Sequence, residues 1–160
     1  KDTLVNIEKN KEFVCSLATR HLCDAMNISS AAVDQGVSEF ELAKLTPANS
    51  NLVSPPRVAD SPAALECKLW KCLTIPKSFG EDAASSYTMI LGFVVGVYID
   101  DRYLTDGLFD TGRAGLIARM GYMDYCAVSP ENMFSLNRPK VTEDGLKASV
   151  ALGPWDGQYR

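Results

Sequence analysis

Two stretches of alternating or continuous apolar residues organise this chain. Residues 64–75 (ALECKLWKCLTI) alternate, with Leu65, Cys67 and Leu69 on one side, and Glu66, Lys68 and Trp70 on the other. Lys71 falls in register with the first set. This is the signature of a two-faced strand in an antiparallel sheet. Residues 88–100 (TMILGFVVGVYID) form the longest apolar run, rich in Val, Ile and Tyr, with Gly92 and Gly96 four apart inside it. A run of that length could make a helix, but two internal glycines and the β-branched bias argue for strand. Glycine within a strand marks a bulge, a bend or the close approach of another backbone. A long strand bent at two glycines suits a small barrel better than a flat sheet. A polar loop over residues 76–86 joins the two stretches into one long hairpin.

The rest of the chain carries shorter signals. Leu4, Val5 and Ile7 form an apolar stripe, and Asp2 or Thr3 can cap a helix running to about Asn10. Residues 13–17 (FVCSL) read as a buried strand, and Thr19 as the cap of a short helix over 20–26 with Leu22, Cys23 and Met26 inward. Residues 39–43 read as one or two helical turns. Between residues 46 and 62, Pro47, Pro55, Pro56 and Pro62 predict a connection that follows the surface. Residues 121–128 (GYMDYCAV) end in a short strand, and Asn137-Arg138-Pro139 closes a domain spanning 1–139. Residues 140–160, with Gly145, Gly153 and Gly157, read as a tail that either frays or lies on a partner.

At 160 residues, 46% hydrophobic and 22% charged, the chain has the size and composition of one globular domain. A net charge of −4 without any basic run excludes a nucleic-acid surface. The longest apolar run is too short to cross a bilayer as a helix, so no membrane association is expected. Five cysteines, an odd number without CxxC spacing, point to reduced thiols in a cytoplasmic setting rather than disulfides or zinc. A single histidine, His21, excludes a histidine-rich metal centre. His21 has no acid at a telling spacing, and the cysteines fall on expected core faces as small hydrophobes. The sequence starts at Lys1 rather than Met and reads as a fragment or a processed chain. No G-x-G-x-x-G or Walker sequence is present.

Lys1-Asp2-Thr3, Glu39-Phe40-Glu41-Leu42, Pro55-Pro56-Arg57-Val58, Glu66-Cys67-Lys68-Leu69, residues 92–97, residues 119–125 (RMGYMDY) and Asn137-Arg138-Pro139 occur in an order and spacing that resemble the flavin reductase-like family. The resemblance covers residues 1–139 and implies an FMN-binding split β-barrel, mostly antiparallel with short helices. It also implies opening strands that precede the part of the domain present here. As activity it implies an FMN-dependent oxidoreductase passing hydride from NAD(P)H to flavin, then electrons to free flavin or a redox partner protein. A homodimer is implied as well. A cofactor with that chemistry needs orientation more than protein acids and bases, so no catalytic side chain is assigned. The alternative is a cofactor-free barrel acting as a binding or assembly module.

Two candidate sites follow. Lys1, Asp2 and Thr3 sit at a helix start, where open N–H groups and the dipole favour an anion. The resemblance assigns the FMN phosphate to them, whereas the residues alone favour a simple helix cap. Arg119, Gly121 and Tyr122, with Tyr125, could offer a two-pronged cation, a close backbone approach and a stacking ring. The competing reading is a core-edge aromatic cluster with Arg119 reaching into solvent. Asn137-Arg138 reads as loop termination or as an anion contact. Glu39 and Glu41 lie two apart, with no cleft implied between them.

Overall fold

The computed structural model describes residues 2–78, 86–155 and 157, so Lys1 and most of the loop before Ser86 lie outside the described residues. Helix α1 (Asp2–Asn10) buries Ile7, in line with the apolar stripe. Asp2 and Thr3 are its first two residues, one step inside the cap position expected for them. Lys11 then adopts φ 59°, and its N–H returns to Ile7 O at 2.9 Å. That left-handed residue ends the helix and turns the chain directly into β1 (Glu12–Ser16).

The two patterned stretches become β4 (Ala63–Pro76) and β5 (Ser86–Ile99), paired antiparallel from Ala63↔Ile99 to Pro76↔Ser86. With β1 they form a sheet of order β1-β4-β5, and among the described residues the outer edge of β5 has no partner strand. Both glycines sit where the register slips. Glu66 faces Gly96 but Cys67 faces Val94, and Leu69 faces Gly92 but Lys71 faces Leu91. One extra residue is thus inserted on each strand, Val95 on β5 and Trp70 on β4, as two bulges. A Cβ on Gly92 would lie 2.6 Å from Phe13 Cζ and 2.9 Å from Lys68 O. A Cβ on Gly96 would lie 3.1 Å from Leu52 Cδ1. The bare positions admit a ring from β1 at one glycine and a leucine from a loop at the other.

Elsewhere the pattern predicts element type better than position. The second helix, α2 (Cys23–Ser29), starts later than expected. Thr19 does not cap it; Thr19 is buried, bridges Leu116 as an isolated β-pair and places Oγ1 2.9 Å from His21 Nδ1. Helix α3 (Glu39–Leu42) forms where expected, capped by Ser38 Oγ, which accepts the Glu41 N–H at 3.3 Å. The proline-rich connection is a short ribbon, β2 (Pro47–Ala48) paired with β3 (Arg57–Val58), and it ends inside the molecule rather than on its surface. Ser61 and Pro62 are fully buried, and Ser61 Oγ lies 2.9 Å from Leu17 O and 2.8 Å from Ala63 O. That hydroxyl occupies a backbone carbonyl that the sheet leaves open, which makes a polar turn acceptable in the core.

Beyond β5 the elements are short: β6 (Leu104–Thr105), β7 (Leu108–Phe109), α4 (Thr111–Ala114), β8 (Ile117–Arg119), β9 (Tyr125–Ala127), β10 (Lys140–Val141) and β11 (Ala148–Ser149). Within the described part of the tail the chain is paired. β10 pairs with β11, and Asn137 Nδ2 donates to Gly153 O at 3.1 Å and Pro154 O at 3.0 Å. The cysteines divide. Cys67 is buried, where desolvation pushes its thiol pKa up, whereas Cys15 and Cys126 are exposed because one face of their strands is open. No described helix is long and apolar enough to cross a membrane.

Candidate functional site

A cleft of about 860 Å³ is lined by residues of α1 and β1 together with α3 and the Ser54-Pro55-Pro56 turn. Thr3, Asn6, Ile7 and Asn10 repeat at helical spacing and so present one face of α1 to this space. Phe13, Phe40 and Ile90 supply apolar surface, and Glu12 and Glu39 bring carboxylates. Its size falls in the ordinary range for small-molecule and cofactor sites, as does the combination of apolar walls with a few polar groups. The N–H groups of the first helical turn, around Asp2 and Thr3, have no intrahelical acceptors and carry the positive end of the dipole.

The wall opposite α1 is held by carboxylates. Glu66, only 2% exposed, accepts the Asn51 N–H at Oε1 (2.9 Å) and the Leu52 N–H at Oε2 (2.6 Å). Glu12 Oε2 accepts the Ser54 N–H at 2.8 Å. That bond lowers the Glu12 pKa from its ordinary value, aided by the Ser54 side chain and by Lys68 across the strand pair. Glu12 is therefore an anion at neutral pH and not a proton donor.

The residues singled out by sequence divide between two places. Lys1 lies outside the described residues; Asp2 and Thr3 open α1, and Thr3 lines the cleft. Arg119 ends β8, and Gly121 and Tyr122 lie in the turn that follows it. Arg119 Nη1 donates to Tyr125 Oη at 3.0 Å, its guanidinium lies 5.4 Å from the Tyr125 ring centre, and Nη2 reaches Tyr122 O and Met123 Sδ. The guanidinium thus latches its own hairpin. A Cβ at Gly121 would meet nothing within 4 Å, and the positive φ of the turn falls on Tyr122 at 56°. Tyr122 is 93% exposed. This hairpin contributes nothing to the lining of the α1–β1 cleft.

Asn6, Asn10, Glu12, Phe13 and Glu66 were not recognised as site residues. For Asn6 and Asn10 the signal was available, since both share Thr3's face of the helix at spacings of three and seven. For Glu66 there was none. A strand pattern assigns it to the polar face, and only the loop folded over that face makes it buried.

An FMN can be tested against this donor set. A hydroxyl, two carboxamides and the open amides of α1 suit a phosphate, while Phe13, Phe40 and the prolines suit a planar ring. The two carboxylates repel a phosphate, so the fit requires it at the Thr3 end of the cleft.

Residues 1–116 match the family described as flavin reductase like domain. An uncharacterised protein of Halalkalibacterium halodurans is 33% identical over 144 residues, covering 90% of this chain and 66% of that protein. Among solved structures, nitrilotriacetate monooxygenase component B from Bacillus cereus superposes with a TM-score of 0.74 at 28% identity, covering 85% of this chain and 65% of that one. Flavoredoxin of Desulfovibrio vulgaris shares the fold at 22% identity with a TM-score of 0.67, covering 79% and 64%. The chain therefore spans slightly less than two thirds of the length of each of these three relatives.

Proposed function

This chain belongs to the flavin reductase-like family, and on that premise we propose that it works as an FMN-dependent oxidoreductase. The antiparallel sheet and short helices are those of the family's split barrel. When bound, FMN would supply the chemistry: accepting hydride from NAD(P)H and delivering electrons to free flavin or a redox partner protein. The residues supply position. Thr3 and the backbone amides of Asp2 and Thr3 at the open start of α1 would hold the phosphate, joined by the charge of Lys1, and Asn6 and Asn10 extend that donor row into the cleft. Arg119, Gly121 and Tyr122 are kept as a second border, carried on an exposed hairpin. A second copy of the chain completing the pocket is part of the same proposal.

The observation that carries this reading is an open helix start beside an apolar-walled cleft of cofactor size, in a chain of this family. Titrating FMN into the purified chain while following flavin fluorescence tests it, with NAD(P)H oxidation measured with and without added riboflavin. Saturable quenching is expected. A cofactor-free binding module is favoured by one feature: among the described residues, no lysine or arginine lines the cleft, while two glutamates do. A colourless preparation that takes up no FMN decides for that module.

A further inference from the structure

The turn that closes the cleft opposite α1 has no secondary structure to hold it, and Asn51 and Ser54 are exposed. Its backbone is nonetheless gripped at three N–H groups by two carboxylates from neighbouring strands. Glu66 projects from β4, opposite Val14 on β1 and Gly96 on β5. A carboxylate so buried is costly unless both oxygens are satisfied. One is satisfied by Asn51 and the other by Leu52. The same approach lays Leu52 over Gly96, where a Cβ would stand 3.1 Å from Leu52 Cδ1. Two residues on, Glu12 takes the Ser54 N–H, and Ser54 begins the turn that lines the cleft. Beyond the prolines, the Val58 N–H donates to Ser16 Oγ at 3.0 Å. The ring of Phe13, beside Glu12 on β1, fills the space that Gly92 leaves empty.

We infer that Glu66 and Glu12 are positioning residues: they clamp the 51–54 segment so that Ser54, Pro55 and Pro56 form a fixed wall of the cleft. Ligand affinity then depends on Glu66, which is not part of the lining. The purpose assigned to the clamp rests on the flavin reading, while the clamp itself does not. Carboxylate acceptors suit this task because each oxygen takes a charge-assisted bond, stronger than a neutral amide would make. A glutamine at position 66 keeps one carbonyl oxygen and turns the other atom into a donor, which repels an N–H; Glu12 uses a single oxygen, so the variant that breaks its bond is Glu12→Ala, which removes the acceptor.

The test uses amide hydrogen exchange together with FMN titration on the unaltered chain, Glu66→Gln and Glu12→Ala. In the unaltered chain, the amides of Asn51, Leu52 and Ser54 exchange slowly for an exposed loop. Glu12→Ala speeds exchange at Ser54 by about tenfold, and Glu66→Gln does the same at Asn51 or Leu52. The amides of β1, β4 and β5 keep their protection. FMN affinity falls by about tenfold in Glu12→Ala at unchanged melting temperature, a combination that a merely structural role would not give. Glu12 lies on the first strand of the sheet and only half-buried, so this variant keeps the test decisive should Glu66→Gln fail to fold. Unchanged exchange in the 51–54 segment overturns the clamp. Faster exchange with unchanged FMN affinity overturns its role in the cleft. An unaltered chain that takes up no FMN overturns the flavin reading and the purpose drawn from it, while the exchange rates still decide the clamp.

Discussion

The chain up to Ala114 and the stretch from Met120 onward solve the problem of staying folded in different ways. Every described residue that is buried lies in the first region, from Ile7 and Thr19 through Ser61, Pro62 and Glu66 to Ala114. The second region holds itself by hydrogen bonds within short hairpins and leaves large apolar side chains outside. Phe134 is 82% exposed and Leu152 90%. Burial gives the first region cooperativity, because each buried group relies on several neighbours. Local ties such as those of Asn137 give the second region shape without a core. A chain divided in this way should lose stability through its first part and surface behaviour through its second.

The largest effect is expected from emptying the buried carboxylate position. Glu66→Ala removes the acceptor for two backbone N–H groups and should destabilise the chain by roughly 2–4 kcal/mol, read by chemical denaturation. A loss below about 0.5 kcal/mol would show that the first region does not depend on its polar interior as described. Filling a bulge comes next. Gly92→Ala would set a Cβ against the Phe13 ring and, less forgivingly, against Lys68 O; a cost of about 1–3 kcal/mol is expected, with Gly96→Ala at the lower end. Equal costs at the two glycines would contradict the distances.

Smaller effects sharpen the contrast from the other side. Thr3→Ala should weaken FMN binding by about tenfold and riboflavin binding far less, because only FMN carries the phosphate. Equal weakening of both would move the phosphate away from α1. Asn137→Ala should expose residues 150–155 to limited proteolysis while shifting global stability by less than about 0.5 kcal/mol. A large shift would mean that the tail is part of the core after all.

The smallest is a pH effect. Hydrogen bonds from the Arg102 side chain and backbone hold the Asp100 pKa at about 2, below its ordinary 3.8. A carboxyl lowered on folding stabilises above its unfolded value and loses that contribution as pH falls toward the folded one. Acid titration of Asp100→Asn should therefore differ from the unaltered chain above pH 4, and the difference should vanish by about pH 2.

Much of the fold was legible because strands and bulges are local events. Alternation identified β4, β-branched composition identified β5, and Gly92 and Gly96 marked where the register slips. The helical stripe of α1 was equally plain. The start of α2 was misplaced, because Thr19 has cap chemistry but spends its backbone on Leu116, nearly a hundred residues away in the chain. Of the candidate site, Thr3 lies on a cleft wall, while Arg119, read either as an anion-holding cation or as the edge of an aromatic cluster, hydrogen-bonds Tyr125. Spacing alone cannot tell a cation that awaits a ligand from one already engaged by its own turn.

By itself, the sequence determined what short-range chemistry can determine: where the chain extends, where it bends, where a helix opens with its amides free, and to which family it belongs. Only the tertiary structure decided that Glu66 is an interior acid, that Ser61 and Pro62 are buried, and that a proline-rich turn becomes the wall of a cleft. The physical reason is that burial belongs to a position in space. A carboxylate on a strand's polar face is exposed until another segment, distant in the chain and held by that same carboxylate, comes to cover it.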